Sequence, residues 1–286
     1  MATRHLDTPQ GAARFDHGAQ YFTVRDPGFA TQVAAWQAQG LAAPWPEAGA
    51  AAFVATPGMN SLPAALAQGL DVRCGQQVTA LRHEAGGWHL SLALPEGNSA
   101  TAGPFTRLVV ALPAEQAAAL LATAAPAPSA DLTADLAARA AATPSAPCWT
   151  VLAALPDALP EGTSCWRHLG AIGWAARNNT KPGRSGPEAL VLQAGPEWSR
   201  QHLEDPAAQV GQALLGEFFH ATGLPARAPL AVHAHRWRYA RSGSAGVMYL
   251  WQRKSGLGLC GDWLPGPRVE DAWRSGLALA GAILAG

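Results

Sequence analysis

The stretch Gly256-Leu257-Gly258-Leu259-Cys260-Gly261-Asp262-Trp263, followed by Gly266-Pro267-Arg268-Val269-Glu270-Asp271-Ala272-Trp273-Arg274-Ser275-Gly276, decides how this chain is read. An apolar run closes on Gly-Asp and gives way to a helical pattern, which predicts a strand, a glycine turn and a helix. Glycine lets backbone approach a bound molecule closely, Asp262 supplies a carboxylate, and the first helical turn points unpaired N–H groups at the same place. Such a segment suits a large cofactor with hydroxyls and an electron-poor ring. The apolar tail, Leu277 to Gly286, is about half as long as a membrane span requires and predicts a packing helix.

The frame around that segment is ordinary. With 286 residues, 49% of them hydrophobic, the chain has enough material for one large core or two smaller ones. Lys plus Arg and Asp plus Glu number 20 each, so no electrostatic feature calls for nucleic acid or an anionic membrane. A small-molecule partner is expected, with neither nucleic acid nor membrane; nothing sets an oligomeric state. Cys74, Cys148, Cys165 and Cys260 form no Cys-x-x-Cys pair and read as reduced thiols. The start, Met1 to Asp7, has no apolar run behind its charge, so no export signal is read and a cytoplasmic location is expected.

Along the chain, Asp26 is placed to cap a helix carrying Phe29, Val33 and Trp36 that stops at Gly40. A strand at Phe53-Val54 precedes a tight turn, Pro57 to Ser61, and a helix from Leu62 to Gln68. Asp71–Arg73, Gln77–Leu81 and Trp88–Leu92, with a turn at Gly86-Gly87, read as a β-meander. Leu108–Leu112 is apolar throughout, which suits the middle of a sheet, and a helix follows over Ala114–Leu121. Thr123–Ser129 reads as a linker. From Trp149 to Trp237 strands dominate, around an amphipathic helix from Pro206 to Thr222 bearing Val210, Leu214 and Phe218.

Several blocks together carry a resemblance. Arg14-Phe15-Asp16-His17-Gly18-Ala19-Gln20-Tyr21-Phe22-Thr23 resembles a block of the renalase-like flavoproteins, within the FAD-dependent amine oxidase superfamily. Pro57–Leu62, Gln77-Val78, Gly87-Trp88, Leu108–Pro113, Asn178–Arg184, Trp198-Ser199 and His235–Ala240 are similar to later blocks in the same order, and the closing segment completes the set. One part is missing: no Gly-x-Gly-x-x-Gly turn follows a strand. Met1-Ala2-Thr3-Arg4 resembles the residues directly after the family's Gly-Gly-Arg phosphate contact. The resemblance therefore implies a bacterial-type chain starting about one βαβ unit late, through an internal start or a true truncation.

The fold so implied is α/β (α+β overall): an incomplete Rossmann-like three-layer FAD domain joined to a substrate domain on a mixed β-sheet with helices. Residues 1–22, 57–113 and 255–286 are assigned to the first, and 23–56 and 114–254 to the second. The implied activity is that of an FAD-dependent oxidoreductase, taking a hydride from a reduced dihydro-nicotinamide dinucleotide isomer or an amine, with oxygen as acceptor. A non-catalytic remnant, or a small-molecule binding protein of the same fold, is the alternative. FAD is expected to be non-covalent, and weakly held or lost in this chain.

The implied cofactor contacts are Gly18, Ala19, Gln20, Val78, Gly261, Asp262, Arg268, Val269, Glu270 and Ala272. Catalytic candidates are His17, Tyr21, Trp166, His168 and Trp237; Trp166, His168 and Trp174 sit at alternating positions that offer aromatic walls for a planar substrate. Trp174, Asn178, Lys181 and Arg236 are substrate-binding candidates, with Arg238 a further cation for phosphates. His233 and His235 share a face at an i, i+2 spacing, but no third ligand is near and no metal site is expected.

Overall fold

The computed structural model describes residues 1–124 and 129–285. They fold as an α/β protein with several separate sheets and seven α-helices among the described residues. The chain divides into two compact units, Met1–Gln68 with Ala146–Ala240 and Gly69–Ser145 with Arg241–Gly286. This partition follows packing. The cofactor and substrate domains implied by the resemblance have other boundaries.

In the first unit, strands β1 (Thr3–Leu6) and β2 (Ala13–Asp16) pair antiparallel. β3 (Phe22–Thr23), helix α1 (Pro27–Ala38), β4 (Ala42–Pro44), β5 (Ala52–Ala55) and helix α2 (Ser61–Leu66) follow, with β5 central in the sheet β3-β5-β4. Asp26 caps α1 as expected: its Oδ1 accepts from the Phe29 N–H at 3.0 Å, and Phe29, Val33 and Trp36 are buried. The second unit begins with the antiparallel sheet β6 (Gln77–Glu84), β7 (Gly87–Ala93) and β8 (Ser99–Phe105). The meander is real but its members differ from the expectation. Asp71–Arg73 is loop, where Arg73 and Asp71 pair in solvent, and the third strand is β8, whose exposed, Gly- and Pro-containing sequence hides its strand character.

Strand β9 (Leu108–Val110) leads into α3 (Ala114–Leu121), and α4 (Ser129–Ala141) packs on α3. The linker expected over Thr123–Ser129 falls mostly on 125–128, outside the described residues. Thr123 itself is tied down: its Oγ1 accepts from the Leu81 N–H and donates to the Leu120 carbonyl.

Back in the first unit, β10 (Ala146–Leu155), β11 (Cys165–Leu169), β12 (Ile172–Arg177), β13 (Glu188–Ala194) and β14 (Ala231–Arg241) form a sheet ordered β11-β12-β13-β10-β14. The pairs β10/β13, β11/β12 and β12/β13 are antiparallel. Helices α5 (Pro196–Gln201) and α6 (Ala207–Thr222) join it. Alternation along β10 sends Val151, Ala153 and Leu155 into a core with Val210, Leu214 and Phe218 of α6, while Leu152 and Ala154 pack with Phe15 on the other side. Both faces of β10 are therefore buried, which explains its continuous apolar sequence.

The second unit closes with β15 (Leu250–Gln252), β16 (Leu257–Leu259) and α7 (Val269–Leu284). β16 is central in the sheet β15-β16-β9, antiparallel to β15 and parallel to β9. The strand over Leu108–Leu112 thus lies at a sheet edge and not in the middle, with Val109 exposed. Its apolar sequence carries no information on which edges are hydrogen-bonded. All four cysteines are free thiols, and burial raises the pKa of Cys165 and Cys260 above the ordinary thiol value. No helix among the described residues is long and apolar enough to cross a membrane.

Candidate functional site

In the first unit the segment Asp16–Tyr21 is held from beneath by a buried charge cluster. Asp16 Oδ1 accepts from Thr3 Oγ1 at 2.8 Å and the Met59 N–H at 2.9 Å. Its Oδ2 accepts from Arg184 Nη2 at 2.6 Å and Lys181 Nζ at 3.4 Å. Burial pushes the Asp16 carboxyl up, but Lys181, Arg184 and the Met59 N–H outweigh it and hold it below its ordinary value. Lys181 is fully buried, and desolvation brings its ammonium down to about 8 against the pull of Asp16. Lys181 also donates to Gln20 Oε1, and Asn178 bridges Asp16 N–H and the Arg14 carbonyl. Asn178, Lys181 and Gln20 therefore fix backbone here.

Above this cluster, Gly18 is clamped by Gln193, whose side chain donates to the Gly18 carbonyl at 2.9 Å. His17 is 5% exposed and lies 5.2 Å from His235 and 5.3 Å from Trp237, ring to ring. Trp237 Nε1 donates to the His17 carbonyl, and Arg4 Nη1 meets His233 Nε2 at 2.7 Å. Desolvation first, then His235 and Arg4, lower the His17 pKa to about 4, so the imidazole is neutral at pH 7.

The aromatic candidates separate by face. In the β11/β12 ladder Trp166 is opposite Ala175 and Arg167 opposite Trp174. Trp166 packs edge-on against Phe218 in the α6 core. Trp174 lies on the other side with Tyr21 and Trp45, and the Arg167 guanidinium sits 4.4 Å from its ring. Trp166 and Trp174 do not form one wall, because a strand alternates its faces and the pairing register sets which positions coincide. His168 is exposed with φ 57°. Arg236 and Arg238 both pair with Glu204, at 2.6 and 2.7 Å. Trp45 is buried with its indole N–H unpartnered, and no pattern in the sequence marks it.

In the second unit the decisive stretch folds as strand, turn and helix. Gly261 has φ 153°, its N–H donates to Ser275 Oγ at 3.0 Å, and a Cβ there would stand 3.1 Å from the Trp263 ring. Trp263 is fully buried and donates to the Leu112 carbonyl. We expect Gly261→Ala to lose about 1–3 kcal/mol of unfolding free energy through backbone strain and this contact. Urea denaturation measures it, and an unchanged midpoint and slope would disprove the requirement for glycine.

Asp262 is half-buried beside the turn, Arg268 and Ala272 are exposed, and Val78 is half-buried on β6 against the core of this unit. Val269 and Glu270 begin α7; Glu270 and Asp271 are buried, and burial, with Glu270, raises the Asp271 pKa against Arg268. Gly256-x-Gly258-x-x-Gly261 has the letters of a phosphate loop, yet Leu257–Leu259 is β16 itself. Its glycines serve packing: a Cβ on Gly258 would press on Leu279 and Trp251. A glycine turn following a strand, a half-buried carboxylate and a helix N-terminus fit the hydroxyl-bearing chain of a flavin cofactor.

The chain is a mixed α/β protein whose closing strand and helix meet at the Gly261-Asp262 turn. The family profile of the flavin containing amine oxidoreductases matches residues 4–284, and the chain belongs to that family. Among the solved structures to which the chain is similar are two oxidases. Cyclohexylamine oxidase from Brevibacterium oxydans IH-35A is 17% identical, with 82% of this chain and 54% of that chain covered at a TM-score of 0.58. A putative protoporphyrinogen oxidase from Exiguobacterium sp. 255-15 is 16% identical, with 82% and 53% covered at 0.59. The chain spans about half the length of these structures.

Proposed function

We propose that this chain is a renalase-type FAD-dependent oxidoreductase, acting on a reduced dihydro-nicotinamide dinucleotide isomer or an amine with oxygen as acceptor. The observation that carries the reading is the family match over residues 4–284 together with the strand, Gly261-Asp262 turn and α7 N-terminus. When bound, the flavin supplies the hydride acceptor. The chain's own residues orient and exclude water. Asp262, Gly261 and the first N–H groups of α7 hold the hydroxyl-bearing chain, joined by Arg268, Val269, Glu270 and Ala272. Within the first unit Gly18, Ala19 and Gln20 offer backbone made rigid by the Asp16 cluster, and within the second Val78 lies against the core. A neutral His17 beside Trp237, and Tyr21 and Trp174 beside the Arg167 guanidinium, offer polar and aromatic groups in the first unit.

The test is direct. The purified 286-residue chain, titrated with FAD, is expected to show saturable quenching of flavin fluorescence, weakened about tenfold in Asp262→Ala by loss of one charge-assisted hydrogen bond. Dihydro-nicotinamide isomers or amines should then bleach the bound flavin, with reoxidation in air. The second reading is a non-catalytic small-molecule binding protein of this fold. Binding without bleaching by either substrate class would decide for it, and absence of FAD binding would sink the flavin reading itself.

A further inference from the structure

A cleft of about 340 Å³ opens in the second unit, lined by His83, Glu84, Gly86-Gly87, Thr106-Arg107, Trp251 and Arg253–Gly256. It lies at the N-terminal ends of the parallel strands β9 and β16, whereas the Gly261 turn lies at their C-terminal ends. Val78 is likewise near the opposite end of β6 from Glu84. Within the second unit the cleft is thus separate from the proposed cofactor contacts, and a ligand there does not depend on them.

Three chain segments are locked together around it. A Cβ on Gly87 would overlap the Phe105 carbonyl, and one on Gly256 would overlap the Thr106 carbonyl, so both turns lie hard against the 105–107 segment. The turn carrying Arg253 and Lys254 is fixed from below: the buried Trp88 indole donates to the Ser255 carbonyl at 2.7 Å, and the Gly256 N–H to the Arg253 carbonyl. Rigid backbone therefore presents three cations, Arg107, Arg253 and Lys254, to one concavity. Among the described residues none of the three forms an ion pair. The one carboxylate of the lining, Glu84, is engaged by Arg82 at 3.1 Å, with His89 at 3.8 Å. Trp251 forms a wall and its indole Nε1 is buried with no hydrogen-bond partner. Uncompensated like charges on a fixed frame call for an anion, and a Trp beside them for a flat ring. The volume lies at the small end of ligand sites.

We propose that this cleft binds a phosphate-bearing ligand with an aromatic ring, of the size of a mononucleotide, with Arg107, Arg253 and Lys254 on the phosphate and Trp251 against the ring. The probes are AMP and inorganic phosphate, titrated calorimetrically into the 286-residue chain at low and at high salt. AMP is expected to bind saturably and more tightly than phosphate, weakening with salt. Arg107→Ala and Arg253→Ala should each weaken AMP about tenfold. Trp251→Leu should remove the preference for AMP over phosphate. Arg73→Ala, an exposed cation outside the cleft, should change nothing, and melting curves verify that each variant is folded. No saturable binding of AMP by the wild-type chain would overturn the proposal. So would equal AMP affinity in folded Arg107→Ala and Arg253→Ala, which would locate the nucleotide elsewhere, or a preference for AMP that survives Trp251→Leu.

Discussion

Replacing Asp16 with alanine is expected to remove about 3–5 kcal/mol of unfolding free energy, the usual cost of stranding buried charge. Asp16 neutralises Arg184, which is 1% exposed at its side chain, and Lys181, which is fully buried. It also accepts the Thr3 hydroxyl and the Met59 N–H, so alanine leaves two cations and two donors without their acceptor. The two cations are not equivalent. Arg184 makes two bonds to Oδ2 and also donates to the Ala55 and Pro182 carbonyls. Lys181 sits 3.4 Å from Oδ2, and its lowered pKa of about 8 means that burial disfavours its charge. Its folded pKa is below the unfolded 10.5, so the unfolded state binds more protons between these values and stability rises as pH goes from 8 to 10.5. Lys181→Met should therefore cost little, and Asp16→Asn combined with Lys181→Met should recover part of the loss. Urea denaturation of the four proteins gives the answer; if Lys181→Met is as damaging as Asp16→Ala, the cluster is not dominated by the Asp16–Arg184 pair.

Acid is expected to weaken the first unit well before its carboxylates titrate. His17 has its pKa lowered from 6.5 to about 4. Between those values the unfolded chain holds a proton that the folded chain refuses, so stability falls as pH drops from 6.5 towards 4. His233 and His235 are lowered too, chiefly by desolvation and then by Arg4, and act in the same direction. Asp16 has the depressed pKa of a paired carboxylate, so its contribution is lost only below the ordinary carboxylate value of 3.8. The window above pH 4 thus belongs to the histidines. His17→Asn should flatten the slope of unfolding free energy against pH there by about one proton. An unaltered slope would show that His17 is not the group taking up the proton.

The sequence carried the local elements well where a cap or a period marks them. Asp26 capped its helix, Ala114–Leu121 formed α3, and Val210, Leu214 and Phe218 became the buried face of α6. The strand–glycine turn–helix at the end of the chain was readable because glycine at 261 is demanded by backbone and by Trp263 alike. It failed where the deciding quantity is a partner. β8 is hidden in the sequence because an exposed strand needs no apolar alternation, and Leu108–Leu112 reads as a central strand because edge and central strands alike carry valine and leucine. Trp166 and Trp174 look equivalent in the sequence, but register assigned one to the α6 core and the other to Tyr21 and Trp45.

By itself, then, the sequence determined the α/β class, the family and the Gly261-Asp262 turn, since each depends on neighbours in the chain. Only the tertiary structure decided that Lys181 and Asn178 hold Asp16 from some 160 residues away, that Arg236 and Arg238 share Glu204, and that Arg107 and Arg253 meet in one cleft. The physical reason is common to all three. A charge has no fixed role in sequence; its role is set by the dielectric and the counter-charges that folding brings within a few ångströms of it.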